Sequence, residues 1–284
     1  MNKISIITVT RNRVEPLTTK ALASLQQQTS PNFEWIVING GGDTATKELI
    51  ESVKPNLNFH CIYQEMPHTE DGFALCHGRN LGIELAQNEF VTYLDDDNAI
   101  HPDFVAEMTA FISADTNIKL AIPLQERSRQ VWQDDRVVVR SQTFISPSHK
   151  CNLKDLVTHR ELLDSNGLTH TVADAPSWNP QYRIYCDYEY FLQCLGFWGS
   201  NCFRLLSKPL VEYVQSNQGI IGQSGYESWA SELKQIAATS DKYPILKGNP
   251  QYISAISSLA DQYYKKHCSG LNIPAFSKRI AYDY

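Results

Sequence analysis

The chain has 284 residues, 42% of them apolar, and a formal net charge of −6 at pH 7. That length suits one large α/β domain, or such a domain with an extension. It holds no long basic block, which argues against an electrostatic nucleic-acid footprint, and no run of the ~18–20 apolar residues that span a bilayer.

The start, Met1-Asn2-Lys3-Ile4-Ser5, runs straight into strand character without a secretory cleavage pattern. Ile4, Ile6, Ile7 and Val9 predict a first strand that ends at Thr10-Arg11-Asn12-Arg13. Leu17, Ala21, Leu22 and Leu25 follow at helical spacing. Pro31-Asn32 breaks the chain, and Trp35–Ile38 predicts a second strand that runs into Asn39-Gly40-Gly41-Gly42-Asp43. A helix is expected over 44–53, a third strand over 59–63, and a helix over 76–87. Val91, Thr92 and Tyr93 then form a short buried strand that meets three adjacent carboxylates, Asp95, Asp96 and Asp97. Strand–helix alternation with short connections predicts an α/β fold with a mostly parallel central sheet flanked by helices.

Beyond the acidic strand, His101-Pro102 opens a helix to about 113, and strands are expected over 118–124 and 137–144. Residues 146–183 read as loop-rich, with short helical pieces around 154–164. A helix over 187–195 places Tyr188, Phe191, Leu192 and Leu195 on one face. Extended segments are expected over 201–206 and 209–214, a glycine-bearing mobile loop over 215–225, and terminal helices over 226–239 and 250–267. The seven cysteines are odd in number, scattered, and without a Cys-x-x-Cys pair. Neither a zinc site nor a disulfide framework is expected, and a reducing cytoplasm is the default location.

Three like charges at a strand end are costly unless something positive sits among them. Two readings follow for Asp95–Asp97: a solvated acidic turn, or a site for a hard divalent cation and a diphosphate. Ligands of parallel α/β sheets sit beyond the carboxyl ends of the strands. Thr10–Arg13, Asn39–Asp43 and Asp95–Asp97 all lie there, which favours a site. Arg79, early in the preceding helix, is suited to pair with carboxylates or phosphates, and Gly82 to bring that helix close to the sheet. Gly40-Gly41-Gly42 is not a dinucleotide fingerprint and precedes no Gly-Lys-Ser/Thr, so it is a flexible turn or a place of close backbone approach.

Five segments in order resemble the large family-2 glycosyltransferases of the GT-A fold: Ser5–Arg13, Ser24–Thr29, Phe33–Asp43, Gly78–Ile83, and Tyr93–Asn98 with His101-Pro102-Asp103. The likeness is close over roughly 3–112 and looser over about 150–215. It implies a GT-A domain over 1–214, with a donor half of about 1–112 and an acceptor half of about 113–214. Residues 215–284 would then be a mobile loop and a C-terminal helical extension. It further implies transfer of a sugar from a nucleotide-diphosphate donor to a glycan or lipid-linked acceptor, usually with inversion and with Mn2+ or Mg2+. Surface polysaccharide biosynthesis at the inner face of the membrane is the implied setting, though no basic amphipathic helix marks membrane contact.

Carried over residue by residue, the resemblance assigns Thr10, Arg11, Asn12, Arg13, Asn39, Gly40, Gly41, Arg79, Asp95 and Asp96 to the donor. It assigns Asp97 and Asp95 to the metal. Where the family commonly has aspartate this chain has Asn39, which adds an amide donor, so no nucleobase is inferred. In Tyr185-Cys186-Asp187-Tyr188-Glu189, Asp187 matches the family's base, with Cys186 in place of the customary acid before it. An inverting transfer needs a carboxylate within hydrogen-bond reach of the acceptor hydroxyl, and a loop-to-helix junction can turn Asp187 into a cleft. Its plain alternative is a helix N-cap. Glu189 is the second candidate base, and Trp178 is either a sugar-stacking residue or a packing aromatic.

Three other readings compete. In aspartyl-phosphate phosphohydrolases the paired acids usually close the first strand, whereas two βα units precede them here. Nucleotidyltransferases typically carry glycines with Arg and Lys after strand one, and Thr10–Arg13 lacks the glycines. A non-catalytic nucleotide-sugar binder would not need Asp95, Asp97 and Asp187 together.

Overall fold

The first strand, β1 (Ile4–Thr10), is buried along almost its whole length. Its side chains alternate between two apolar layers: Ile4 and Ile6 join one core cluster, Ile7 the other. That two-sided burial is what a central parallel strand requires. The computed structural model describes residues 3–69, 73–134 and 136–270.

Helical turns at Val14–Pro16, Leu17–Leu22 and Ala23–Gln26 run together as α1, which buries the expected face of Leu17, Ala21, Leu22 and Leu25. Next come β2 (Phe33–Gly40), α2 (Thr44–Val53), β3 (His60–Met66), α3 (Ala74–Leu85) and β4 (Phe90–Tyr93). The Asp43 carboxylate caps α2 by accepting from the Thr46 N–H. After these lie β5 (Ala99–Ile100), α4 (Phe104–Ser113), β6 (Leu120–Gln133), β7 (Arg136–Arg140), β8 (Phe144–Ser146) and α5 (Leu153–Thr158). The rest comprises β9 (Thr169–Thr171), α6 (Cys186–Trp198), β10 (Phe203–Ser216), α7 (Tyr226–Ala238) and α8 (Pro250–Cys268).

The sheet order is β3-β2-β1-β4-β9-β6-β10-β5, with β7 and β8 alongside β6. β1 pairs in parallel with both β2 and β4, so the strand order reverses at β1. Such a switch point opens a crevice at the carboxyl ends, where Thr10 and Asp95 lie.

The structure differs from the expected elements in five places. The strand expected over 137–144 is the two strands β7 and β8. The loop expected over 215–225 begins as the end of β10 and holds a helical turn at Ile220–Gln223. β9 crosses the stretch read as loop and pairs antiparallel with both β4 and β6. Three residues are too few to show a period, and Thr-His-Thr is not apolar, yet all three are buried. β6 extends through its polar second half because β10, β7 and β8 pair with it there. The two extended segments expected near 201–214 are one strand, β10, with register shifts on either side of Pro209. Proline lacks the ladder's N–H, and a bulge is where a strand tolerates it.

Two glycines set the distance between α3 and the sheet. A Cβ at Gly78 would lie 2.7 Å from Val9 Cγ1, and one at Gly82 would lie 2.5 Å from Ile7 Cγ2. No larger residue fits either spot without movement, and the close approach carries Arg79 over the end of β4. Next to α6, α7 and α8 pack together, and Glu232 of α7 accepts from the N–H groups of Arg183, Ile184 and Tyr185. The two helices bury Trp229, Leu233 and Tyr263 against the cluster that also holds α6.

Candidate functional site: an acidic cleft at the strand ends

The parallel register of β1 and β4 sets Thr10–Arg13 beside Asp95–Asp97. Asp96 turns inward. It is 5% exposed and accepts from Thr10 Oγ1–H at 2.7 Å. Burial pushes its carboxyl up to about 7, with Arg13 working against that rise and Asp97 adding to it. Arg13 closes the loop by pairing with Asp96 at 3.3 Å and Asp97 at 2.7 Å. Burial raises the Asp97 carboxyl as well, although its side chain is still about a third exposed at the cleft.

Arg79 is 2% exposed and joins the two halves of the cleft. It donates to Asp95 Oδ1 at 3.1 Å, to Asp187 Oδ1 at 2.9 Å and to Ser165 Oγ at 2.6 Å. Burial works against its charge, but Asp187 and Asp95 more than restore it, so its pKa rises. Asp187 lies in the first turn of α6 and lines the cleft, with its side chain 22% exposed. The Cys186 thiol lies 3.6 Å from Asp187 Oδ1 as a weak donor. A hydrogen bond with Cys76, together with burial, raises that thiol's pKa and keeps it protonated. The cleft has a volume of about 360 Å³, and Arg11, Arg13, Asp97, Asp187 and Ile221 line it.

A profile of the family described as "Glycosyl transferase family 2" matches residues 5–160. The chain belongs to glycosyl transferase family 2. The PGL/p-HBAD biosynthesis glycosyltransferase Rv2957 of Mycobacterium tuberculosis (strain ATCC 25618 / H37Rv) is 26% identical over 197 residues, which is 68% of this chain and 69% of that one. EpsH of Bacillus subtilis (strain 168) is 34% identical over 98 residues, 34% of this chain, and the chain spans only 27% of its length. In fold, the chain is similar to S. aureus TarS 1–349 in complex with UDP-GlcNAc, at a TM-score of 0.61, 20% identity, and 83% and 66% coverage of the two chains. It is also similar to the mannosyltransferase PcManGT of Pyrobaculum calidifontis in complex with GDP-Man and Mn2+, at 0.59, 14%, and 94% and 75%. The GT-A architecture follows from these neighbours.

Within this family-2 fold, four of the sequence-derived candidates stand differently from expectation. Trp178 is 1% exposed. Tyr190 stacks on it at 4.0 Å, and the Arg79 guanidinium lies 4.3 Å from its ring centre. Both faces are taken, so it has no face to give a sugar, and the packing alternative holds. Glu189 is not in the cleft. Two residues along a helix turn a side chain some 200° away. Its carboxylate accepts from Tyr243 Oη and Gln193 Nε2, on the side of α6 away from Asp187. Asn39 is fully buried. Its amide donates to the Asp43 carbonyl and the Tyr63 hydroxyl, and its oxygen accepts from Asp43 N–H. It shapes the turn after β2 instead of facing a nucleobase. Gly40 leaves room for Ala74, whose Cβ would lie 2.8 Å from one built there.

The remaining donor candidates fall near the cleft. Gly41, at φ +98°, holds a left-handed turn beside the Arg11 side chain. Asn12 is likewise left-handed at φ 52° and donates its N–H to Asp43 Oδ2. Burial alone would raise the Asp43 pKa, but the N–H donors of Asn12 and Thr46 lower it overall.

Asp164, Ser165 and Asn166 are site residues that the sequence did not single out. The Asn166 amide donates to Asp95 Oδ2 and its oxygen accepts from Asp95 N–H, so it holds both ends of that residue. Asp164 in turn accepts from Asn166 and Gln125. Burial, with Asp187 and Asp95 nearby, pushes the Asp164 carboxyl up to about 6. The one available signal was the Asp-Ser-Asn-Gly run itself, which also reads as a turn.

Proposed function

We propose that this chain is an inverting, metal-assisted glycosyltransferase. It moves a sugar from a nucleotide-diphosphate donor to a hydroxyl of a glycan or lipid-linked saccharide. The observation that carries this reading is the placement of Asp187. Its partly exposed carboxylate lies on the cleft wall, tied through one buried arginine to Asp95 of the acidic strand end. The donors held by TarS and PcManGT support a nucleotide-sugar at the strand ends.

On this reading residues 1–112 serve the donor and 113–214 the acceptor. Asp187 takes the proton of the acceptor hydroxyl as that oxygen attacks the anomeric carbon, and the diphosphate departs from the opposite face. Arg13 and Arg11 border the space for the phosphates and provide positive field. Ile220 and Ile221, in the short helix within the glycine-bearing segment 215–225, reach the cleft and can limit water there.

The donor set suits a divalent cation completed by substrate. Mg2+ typically takes one or two carboxylates together with phosphate oxygens. Among the described residues no group of three or more His, Cys, Asp or Glu could hold a metal unaided. Asp97 is the primary ligand proposed. Asp95, with both oxygens already hydrogen-bonded, contributes an outer contact. Such a cation supplies Lewis-acid charge at the leaving diphosphate. Among the described residues no helix is long and apolar enough to cross a membrane. A cytoplasmic site of action, at the membrane face for a lipid-linked acceptor, is part of the proposal.

The test is a panel of nucleotide sugars with and without Mn2+, read by thermal stabilisation and by slow donor hydrolysis. At least one nucleotide should raise the melting temperature in a metal-dependent way. Stabilisation by none of them would remove the glycosyltransferase reading.

A further inference from the structure

A second cavity, of about 80 Å³, lies beside Asp187 and shares that residue, Asp164 and Tyr213 with the cleft. Its wall carries three buried polar atoms whose hydrogen-bonding capacity is not used up among the described residues. Trp229 Nε1 has no partner there, while Arg160 Nε and the Tyr185 hydroxyl are paired with no group beyond the contact between those two side chains. The three residues are 8%, 7% and 8% exposed. Buried polar groups are seldom left unpaired, and three in one cavity ask for a common partner.

Their chemistry narrows that partner. Arginine and indole N–H groups only donate, and a phenol donates readily. A neutral sugar hydroxyl accepts at one oxygen and brings a proton of its own that needs an acceptor. A carboxylate or phosphate accepts at several positions and brings no proton. The cavity has room for such a group, and Tyr188 and Tyr213 give it aromatic walls for the attached ring.

The arginine is oriented for this use. Arg160 pairs through Nη1 with Glu161 and through Nη2 with the Tyr263 hydroxyl, so of its three nitrogens Nε is the one left over in a residue that lines the cavity. The guanidinium carbon lies 4.9 Å from the Tyr185 ring centre and 5.3 Å from that of Tyr263. Trp229 brings α7 into the wall, and Tyr263 of α8 backs Arg160 from behind it. Arg129 also lines the cavity, and Glu161, Asp164 and Asp187 are the acids that face it. Glu161 is engaged with Arg160, while the buried Arg127 donates to Gln125 Oε1 and to the carbonyls of Glu161 and Leu162.

We propose that this cavity is an acceptor subsite selecting a saccharide with an anionic group, either a carboxylate or a phosphate. The inference rests on the glycosyltransferase reading above for the meaning of "acceptor".

The test is calorimetric titration of the full chain, with UDP present, by methyl glucuronide, methyl glucoside 6-phosphate and methyl glucoside. At least one acidic glycoside should bind tenfold or more tightly than the neutral one, and the two acidic probes tell carboxylate from phosphate. Tyr185→Phe with Trp229→Phe removes two donors and keeps an aromatic ring at each position, smaller at 229. It should bring the acidic-to-neutral ratio close to one, with the thermal midpoint reporting that the variant is folded. Equal binding of all three glycosides, or an unchanged ratio in the double variant, overturns the proposal. If acidic glycosides bind selectively but no nucleotide sugar is bound or hydrolysed, the anion site stands and the glycosyltransferase reading falls.

Discussion

His170, at the centre of β9, is fully buried, and its protonation links fold stability to pH. Its Nδ1–H donates to the Thr171 carbonyl at 2.8 Å, since that oxygen can only accept. Nε2 must then accept, and it faces Tyr93 Oη at 2.7 Å and Tyr190 Oη at 3.1 Å. Trp178 Nε1–H donates in turn to Tyr93 Oη at 2.9 Å. Burial lowers the His170 pKa from 6.5 to about 4, with the Thr171 bond opposing the shift. As pH falls from 6.5 towards 4, the unfolded chain therefore binds a proton that the folded chain refuses. Stability is complete above the unfolded value and falls as pH drops through this window. At about 1.4 kcal/mol per unit the whole shift amounts to about 3 kcal/mol, of which about 2 kcal/mol is lost between pH 7 and pH 5.

Asp96 and Asp164 act in the other direction, since their folded values near 7 and 6 lie above the ordinary carboxylate range. Each adds stability as pH falls, so the wild-type curve alone is a mixture. His170→Gln removes the titration and keeps an amide in place of the ring. Urea unfolding at pH 7 and pH 5 should show a loss smaller by about 2 kcal/mol in the variant than in the wild type. An identical loss in both proteins would mean that His170 is charged inside the fold and that the hydrogen-bond assignment is wrong.

Three further outcomes are expected. Asp187→Asn should lower the transfer rate by about 10²–10⁴-fold, the usual worth of a positioned base, while the donor dissociation constant stays within a few-fold. Steady-state rates beside donor titration check this, and near-normal transfer would move the base elsewhere. Gly82→Ala should destabilise by about 1–3 kcal/mol in urea unfolding, because the new methyl would meet Ile7 Cγ2 at 2.5 Å; an unchanged midpoint would mean that α3 slides away easily. Asp97→Asn should weaken Mn2+-dependent stabilisation by nucleotide and leave metal-free stability almost unchanged. A Mn2+ titration followed by thermal shift reads the difference, and equal metal dependence would refute the role given to Asp97.

The parts legible in the sequence are those with a period or a fixed order. Ile4, Ile6, Ile7 and the run from Trp35 to Ile38 announced central strands, and the polar residues that end them fall at the switch point. Gly82, the small residue ahead of the acidic strand, does bring its helix close to the sheet. The sequence position of Arg79 suits either phosphate or carboxylate, and the residue lies between two carboxylates. What stayed hidden depends on contacts between distant segments. β9 has three residues and owes its place to two neighbours. Asn166 acts on Asp95 from 71 positions away. The burial of Trp178 could not be read either, because an aromatic in a polar loop looks the same whether it packs or binds.

That burial gives Trp178 an indirect part in the site. Arg79 fixes the spacing of Asp95 and Asp187, and a buried cation can do so only if its own position is fixed. Three contacts fix it. The close packing at Gly78 and Gly82 sets its backbone, Ser165 holds Nη2, and the indole of Trp178 covers the guanidinium plane. Tyr190 backs the indole, and Tyr93, His170 and Tyr190 lock the edge of that stack by hydrogen bonds. The aromatic layer thus connects the turn after β4 with the first turn of α6, two segments some ninety residues apart in sequence. If Asp95 serves the donor and Asp187 the acceptor, their separation is a property of this layer and not of either loop. Donor and acceptor geometry should then change together when the layer is disturbed, while changes confined to Arg11 or Asn12 should touch the donor alone.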